Sequence, residues 1–317
     1  MSIIEKAIEK LNKKSMLEKA DERAQQSSQS PKVEAQRQQS AQPQDSQPAK
    51  NKSVDARSQK SVESQPQKMI KLRLDILREN GMVVPDNTRS SIADEYRLIK
   101  RPLIMNAFGQ GASIVDNANL IMVSSSVPGE GKTFTAVNLA MSIAMERDKH
   151  VLLVDADVAR PSVSRLLKLP PSPGLIDMLV DHEVSFQDVV LKTDVPTLSI
   201  LPSGRAHPHS TELLAGNEMG NLAHELSQRY SDRIVIFDSP PLLATTEAGV
   251  LANHMGQVVM VVESGKTQQK TVKEALSRLT GPEIIGFVLN KTIGGVMGGE
   301  YDYSYGNYYY GGSMTES

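Results

Sequence analysis

The chain contains no cysteine, which excludes both disulfides and thiolate metal centres and suits a reducing compartment. It has no stretch of the roughly 18 consecutive apolar residues that a bilayer-spanning helix needs, and no secretory leader is legible. The expectation is a cytoplasmic protein, tethered to a membrane only through a partner. An excess of one charge is missing too. The 35 Lys and Arg stand against 37 Asp and Glu, and with a pI of about 6.3 there is no whole-chain case for nucleic acid. Tryptophan is absent, and aromatic residues make up only 4%, so where they gather carries information.

What is present divides the 317 residues into four parts. Residues 1–20 read as an amphipathic helix, with Ile3, Ile4, Ala7, Ile8 and Leu11 on one face and Glu5, Lys6, Glu9, Lys10, Lys13 and Lys14 on the other. It suits docking to a partner or membrane surface, or packing against its own chain or a neighbouring subunit. Its mixed charges argue against strong lipid attraction. Residues 21–68 are rich in Gln, Ser, Pro and Lys, and their only larger aliphatics are Val33, Val54 and Val62. Such a segment cannot bury enough apolar surface to offset its chain entropy, which predicts a disordered polar linker. A folded domain is expected over 69–292, and a flexible tyrosine-rich tail over 293–317.

Leu120-Ile121-Met122-Val123 leads through Ser124, Ser125, Ser126 and Val127 into Pro128-Gly129-Glu130-Gly131-Lys132-Thr133. An amphipathic segment from Phe134 to Ala144 follows. Strand, glycine-bearing loop, Gly-Lys-Thr and helix together form the context of a phosphate loop. Gly129 and Gly131 let main-chain amides approach a polyphosphate, and the helix adds its positive dipole end. Lys132 can reach the terminal phosphates, while the Thr133 hydroxyl can hold Mg²⁺. The pattern's first glycine is Ser126. The candidate nucleotide-binding set is Ser126, Pro128, Gly129, Glu130, Gly131, Lys132, Thr133 and Phe134.

Apolar runs recur at 150–154, 198–201, 234–237, 258–262 and 284–289, with helices expected near 212–229 and 271–279. This alternation predicts an α/β fold of the P-loop NTPase type, a mostly parallel sheet with helices on both faces. Asp155, Asp157 and Asp238 follow two of these strands. Ligands of such sheets bind at the carboxyl ends of the strands, so the three aspartates and the phosphate loop converge on one crevice. Asp238 suits a metal anchor through a water. Of Asp155 and Asp157, one can help to hold Mg²⁺ while the other faces a nucleophile. The helix around Ser91–Arg101 puts Asp94, Arg97 and Lys100 at a spacing of three on one face, either a solvated charged face or a subunit-contact stripe.

Tyr301, Tyr303, Tyr305, Tyr308, Tyr309 and Tyr310 sit among Gly, Ser, Asn and Asp without apolar periodicity, and only Tyr96 and Tyr230 lie elsewhere. A phenol, with a pKa of about 10, needs a nearby base to attack phosphorus at neutral pH.

Together these segments resemble the bacterial tyrosine kinases, phosphate-loop autokinases unrelated to eukaryotic protein kinases. Residues 126–133 match the family's Walker A, 152–157 its Walker A-prime and 234–241 its Walker B, and the tyrosine-rich end matches its autophosphorylation cluster. The resemblance implies ATP and Mg²⁺ as cofactors, Lys132 and Asp155 in catalysis with Asp155 as the base, and Asp157 and Asp238 beside Thr133 on the metal. It implies a place for Asp157 in the catalytic set as well as on the metal, adenine contact by Asn290, and the six tail tyrosines as phosphoacceptors. It further implies a ring-like homo-oligomer through Asp94, Arg97 and Lys100, where the family usually has Glu, Arg and Arg, and a cognate tyrosine phosphatase. Ala159 stands where the family commonly has arginine, with Arg160 beside it. The N-terminus, linker and residues 155–161 look most like the soluble autokinases of exosortase-associated exopolysaccharide clusters. Such kinases pair with a chain-length determinant protein in the inner membrane, which implies peripheral recruitment there. Two alternatives stand beside this reading. Partitioning and septum-placing ATPases of the same superfamily carry a lysine where this loop has Val127. A non-catalytic ATP-binding assembly scaffold would need no phosphoacceptor.

Overall fold

Runs of consecutive apolar residues can be strands only where both faces of their sheet are covered. The computed structural model, which describes residues 69–85, 90–109, 115–228 and 232–292, meets that condition. Its strands are β1 (Met69–Ile70), β2 (Leu120–Ser125), β3 (His150–Asp155), β4 (Leu191–Thr193), β5 (Leu198–Leu201), β6 (Arg233–Asp238), β7 (Gln257–Glu263) and β8 (Ile284–Asn290). They form one sheet in the order β1-β4-β5-β3-β6-β2-β7-β8. Every neighbouring pair is parallel except β4–β5. The expected N-terminal helix, the linker and the tail with its tyrosines lie outside the described residues.

The central strands alternate strictly between two apolar layers, as a period of two requires. Ile121, Val123, Val151, Leu153, Ile234 and Ile236 enter one layer. Leu120, Met122, Leu152, Val154, Val235 and Phe237 enter the other. The helix Lys132–Ala144 covers the first with Val137, Leu139, Ala140, Met141 and Ile143. Helix Asn217–Gln228 covers the second with Met219, Leu222, Ala223 and Leu226. Because β2, β3 and β6 are parallel neighbours, their carboxyl ends share one edge, with Asp155 paired in register to Asp238.

Buried polar groups tie helix Ser91–Ala107 to this core. Gln257 at the start of β7 is fully buried. Its amide donates to Leu103 O at 3.1 Å and Ala118 O at 2.5 Å, and its oxygen accepts from Asn106 Nδ2 at 2.9 Å. No helix among the described residues is long and apolar enough to cross a membrane.

Three expectations change. The helix foreseen over 212–229 is two, Ser210–Ala215 and Asn217–Gln228, broken at Gly216, whose backbone is extended. Glycine's poor helix propensity makes that the natural place for a corner. A short antiparallel strand, β4, joins the sheet without any apolar run to announce it. Lys100 does not share an exposed stripe with Asp94 and Arg97. Those two are exposed and ion-paired to each other, whereas Lys100 is only 5% exposed. Its ammonium donates to Ser142 O at 2.6 Å and pairs with Glu146 at 2.7 Å. A spacing of three at about 100° per residue drifts by 60° per step, enough to carry the third position inward.

Candidate active site

β2 ends at Ser125, and the loop that follows needs glycine at two places. Gly129 and Gly131 have φ of +91° and +101°, values that L side chains rarely adopt. Gly131 also caps helix Lys132–Ala144, and a Cβ there would meet Asn290 Nδ2 at 2.0 Å. Ser126, in the place of the pattern's first glycine, is fully buried, and its hydroxyl has no partner among the described residues.

The convergence expected of the carboxylates is present. Lys132 Nζ donates to Asp157 Oδ2 at 2.8 Å and lies 3.7 Å from Asp238 Oδ1. The Thr133 hydroxyl donates to Asp238 Oδ2 at 2.7 Å. Asp157 Oδ1 accepts from the Arg160 main chain at 3.1 Å, and Asp155 Oδ2 from Val163 N at 3.0 Å. Asp155 and Asp238 are wholly buried, and among the described residues the Oδ1 of each has no hydrogen-bond partner, that of Asp238 having only the Lys132 ammonium at 3.7 Å.

Two buried carboxylates at adjacent strand ends cannot both ionise cheaply. Burial pushes Asp155 up to about 7, helped by the charges of Asp238 and Asp157. Burial also raises Asp238, but Lys132 and the Thr133 hydrogen bond restrain it to about 6. Asp155 is thus a carboxylate that changes charge near neutrality, as a proton acceptor working at that pH should.

The residues fit Mg²⁺. Among those described, no group of three His, Asp or Glu forms a metal cage, but Mg²⁺ seldom uses one. It takes one or two carboxylates and completes its shell with phosphate oxygens and water. Asp238 Oδ1, which accepts no hydrogen bond among the described residues, the Thr133 hydroxyl and Asp157 provide such a partial set.

Other expected contacts sit differently. Phe134 is partly buried against the first apolar layer. Pro128 is exposed. Glu130 is only 1% exposed and braces the loop. Its Oε2 accepts from Val127 N at 2.8 Å, and its Oε1 accepts the Thr267 hydroxyl and, at 3.4 Å, Glu263 N. Asn290, expected at the adenine, donates its amide to Glu130 O at 2.8 Å. Sequence reasoning missed Lys291, whose ammonium donates to Gly129 O at 2.7 Å. Its position directly after Asn290, at the end of a strand that finishes on the crevice edge, is the signal that could have found it.

Comparison with known proteins fits this geometry. A family model described as an AAA domain matches residues 118–279, just over half of the chain. Tyrosine-protein kinase YwqD of Bacillus subtilis is 32% identical over 234 residues, 74% of this chain and 92% of its own length. Tyrosine-protein kinase ptk of Acinetobacter johnsonii is 34% identical over 174 residues, 54% of this chain but 23% of its own. Succinoglycan biosynthesis transport protein ExoP of Rhizobium meliloti is 29% identical over 248 residues, 74% of this chain and 30% of its own. The chain therefore spans most of YwqD and under a third of the other two. The kinase domain of Escherichia coli tyrosine kinase ETK superposes with a TM-score of 0.58 at 24% identity, covering 70% of this chain and 94% of that one, which speaks for the fold. With the phosphate loop, the lysine and the three strand-end aspartates in one crevice, and a relative matched over nearly its whole length, the chain belongs to the bacterial tyrosine kinases.

Proposed function

We propose that this chain is an ATP-dependent protein-tyrosine kinase that phosphorylates its own C-terminal cluster, Tyr301, Tyr303, Tyr305, Tyr308, Tyr309 and Tyr310, between neighbouring copies. The observation that carries the reading is Asp155, a buried carboxylate of pKa about 7 with one oxygen unbonded among the described residues, paired in register with Asp238, which lies 3.7 Å from the phosphate-loop Lys132. A hydrolase has no need of six clustered phenols.

In this reading Lys132 exchanges Asp157 for the γ-phosphate when ATP enters, and the loop's inward amides take the remaining phosphate charge. Asp155 accepts the phenolic proton. The phenolate oxygen forms the new bond to phosphorus, and ADP leaves with the electron pair of the broken one. Thr133, Asp157 and Asp238 would hold Mg²⁺, which when bound would supply positive charge against the phosphate oxygens. A cleft of about 880 Å³ lined by Pro161, Ser164, Arg165 and Arg205, among others, follows Asp155 in the chain and would give room for an extended acceptor segment. Each transfer adds about −1.5 to −2 charge, which should repel a modified tail from a carboxylate-lined site and loosen the assembly.

The relatives support a biological setting. A succinoglycan transport protein among them supports a role in regulating exopolysaccharide polymerisation or export. That role would involve peripheral recruitment to the inner membrane through a chain-length determinant protein, and reversal by a cognate phosphatase. Asp94 and Arg97 would carry the subunit contact of a ring, without Lys100. Mass spectrometry of the tail after incubation with Mg·ATP tests the proposal. Phosphotyrosine at 301–310, absent from Lys132→Met, is expected. Steady ATP hydrolysis without phosphotyrosine would overturn it in favour of an ATPase.

A further inference from the structure

An anion-binding loop works only if its amides point at the anion. A trans peptide is planar, so the C=O of one residue and the N–H of the next point in opposite directions. Whatever fixes the carbonyl on the far side therefore aims the amide on the near side. In this loop both relevant carbonyls are held, and both by side chains from the end of β8. Lys291 Nζ donates to Gly129 O at 2.7 Å, and Asn290 Nδ2 donates to Glu130 O at 2.8 Å. The next carbonyl, Gly131 O, accepts from Thr135 N at 2.9 Å as the first bond of the helix.

The holders are themselves held. Lys291 pairs with Glu263 at 3.2 Å, at the end of β7. Glu130 closes the loop's own turn through Val127 N and ties it to Thr267. Asn290 packs so closely that a Cβ on Gly131 would meet its amide. The loop is thus clamped from the β7–β8 side, away from the aspartates of β3 and β6.

We infer that Lys291 and Asn290 are positioning residues for nucleotide binding: by holding Gly129 O and Glu130 O they aim the Glu130 and Gly131 N–H groups at the phosphates. Neither side chain touches the reacting atoms. The role of Asn290 is then to shape the phosphate site, through a contact with the loop. A lysine is suited to position 291 because its ammonium serves a carbonyl and the Glu263 carboxylate together.

This inference rests on the nucleotide-binding half of the function proposed above, and affinity can be measured without phosphoryl transfer. The experiment titrates the full chain in Mg²⁺ with N-methylanthraniloyl-ADP and compares native protein, Lys291→Met, Lys291→Arg and Glu263→Gln. Losing one charge-assisted hydrogen bond that shapes the site should raise Kd about tenfold in Lys291→Met. Lys291→Arg should restore affinity to within about threefold, and Glu263→Gln should weaken it by about threefold, since it frees the ammonium without altering the loop. With ATP and a tyrosine acceptor, KM for ATP should rise with Kd while kcat changes less than about twofold. Native-like Kd in both Lys291→Met and Glu263→Gln would overturn the inference, as would equal weakening by Met and Arg at position 291. A native chain that binds the nucleotide but never forms phosphotyrosine would sink the kinase reading alone, leaving this one to the affinities.

Discussion

Asp155→Asn should separate the stability of this domain from its chemistry. The native carboxyl moves from its ordinary 3.8 to about 7, so between those values the folded protein binds more protons at this site than the unfolded chain does. Stability from this group is therefore fully present in acid and is lost as pH rises towards 7, after which it is level. Between pH 5 and pH 8 that loss is about 2–3 kcal/mol. The substituted amide does not titrate, and its oxygen can still accept from Val163 N as Asp155 Oδ2 does now. The variant should thus gain on the native protein as pH rises. For a domain of this size the gain corresponds to about 5–10 °C in melting temperature. The assay is calorimetry of both nucleotide-free proteins at pH 5 and pH 8, with phosphotyrosine formation measured on the same preparations. Transfer should fall about 10²- to 10⁴-fold, the usual worth of a positioned base. A melting difference that is equal at the two pH values would refute the claim that burial holds Asp155 protonated into the neutral range. Labelling within tenfold of native would refute its role as the base.

Four further changes probe the same structure. Lys132→Met leaves Asp157 Oδ2 without its 2.8 Å partner, so calorimetry should find a lower melting temperature even without nucleotide, and labelling should fall at least about 10²-fold. Gly131→Ala combines a φ of +101° with a clash on Asn290. It should abolish measurable nucleotide binding by titration and destabilise the fold by about 1–3 kcal/mol in urea denaturation. Lys100→Ala should cost about 1–3 kcal/mol in the same denaturation, because it strips a buried partner from Ser142 O. Arg97→Ala, at an exposed position, should leave stability within about 0.5 kcal/mol and reduce assembly size by light scattering.

The sheet was legible because its central strands are fully buried. Leu120–Val123, Val151–Val154 and Ile234–Phe237 can be little else when helical segments separate them, and a parallel sheet then fixes which ends meet. That logic brings Asp155 and Asp238 together before any coordinates are known, and the register pairs them. β4 could not be read this way. Its three residues have one partly buried, one exposed and one buried position, and its place depends on the β5 edge it happens to meet. Lys100 was misread because helical spacing gives only the angle between residues. Which angle faces the core is decided by the neighbour, here Ser142 O and Glu146 on the next helix and the turn after it.

The same limit explains what the site concealed. A motif announces the groups that face the ligand, since chemistry restricts them to glycine, lysine, hydroxyl and carboxylate. The groups that face away are restricted only by reach and hydrogen-bonding capacity, so many residue types at many positions would serve. Lys291 is separated from the carbonyl it holds by 162 positions, and Asn290 from its own by 160. No periodicity links them. Glu130 shows the converse, a residue inside the motif whose side chain serves the fold by bonding to Val127, Glu263 and Thr267. If the clamp from β8 aims the loop's amides, nucleotide affinity should depend on residues that no phosphate-loop pattern contains, and Lys291→Met is the substitution that measures how much.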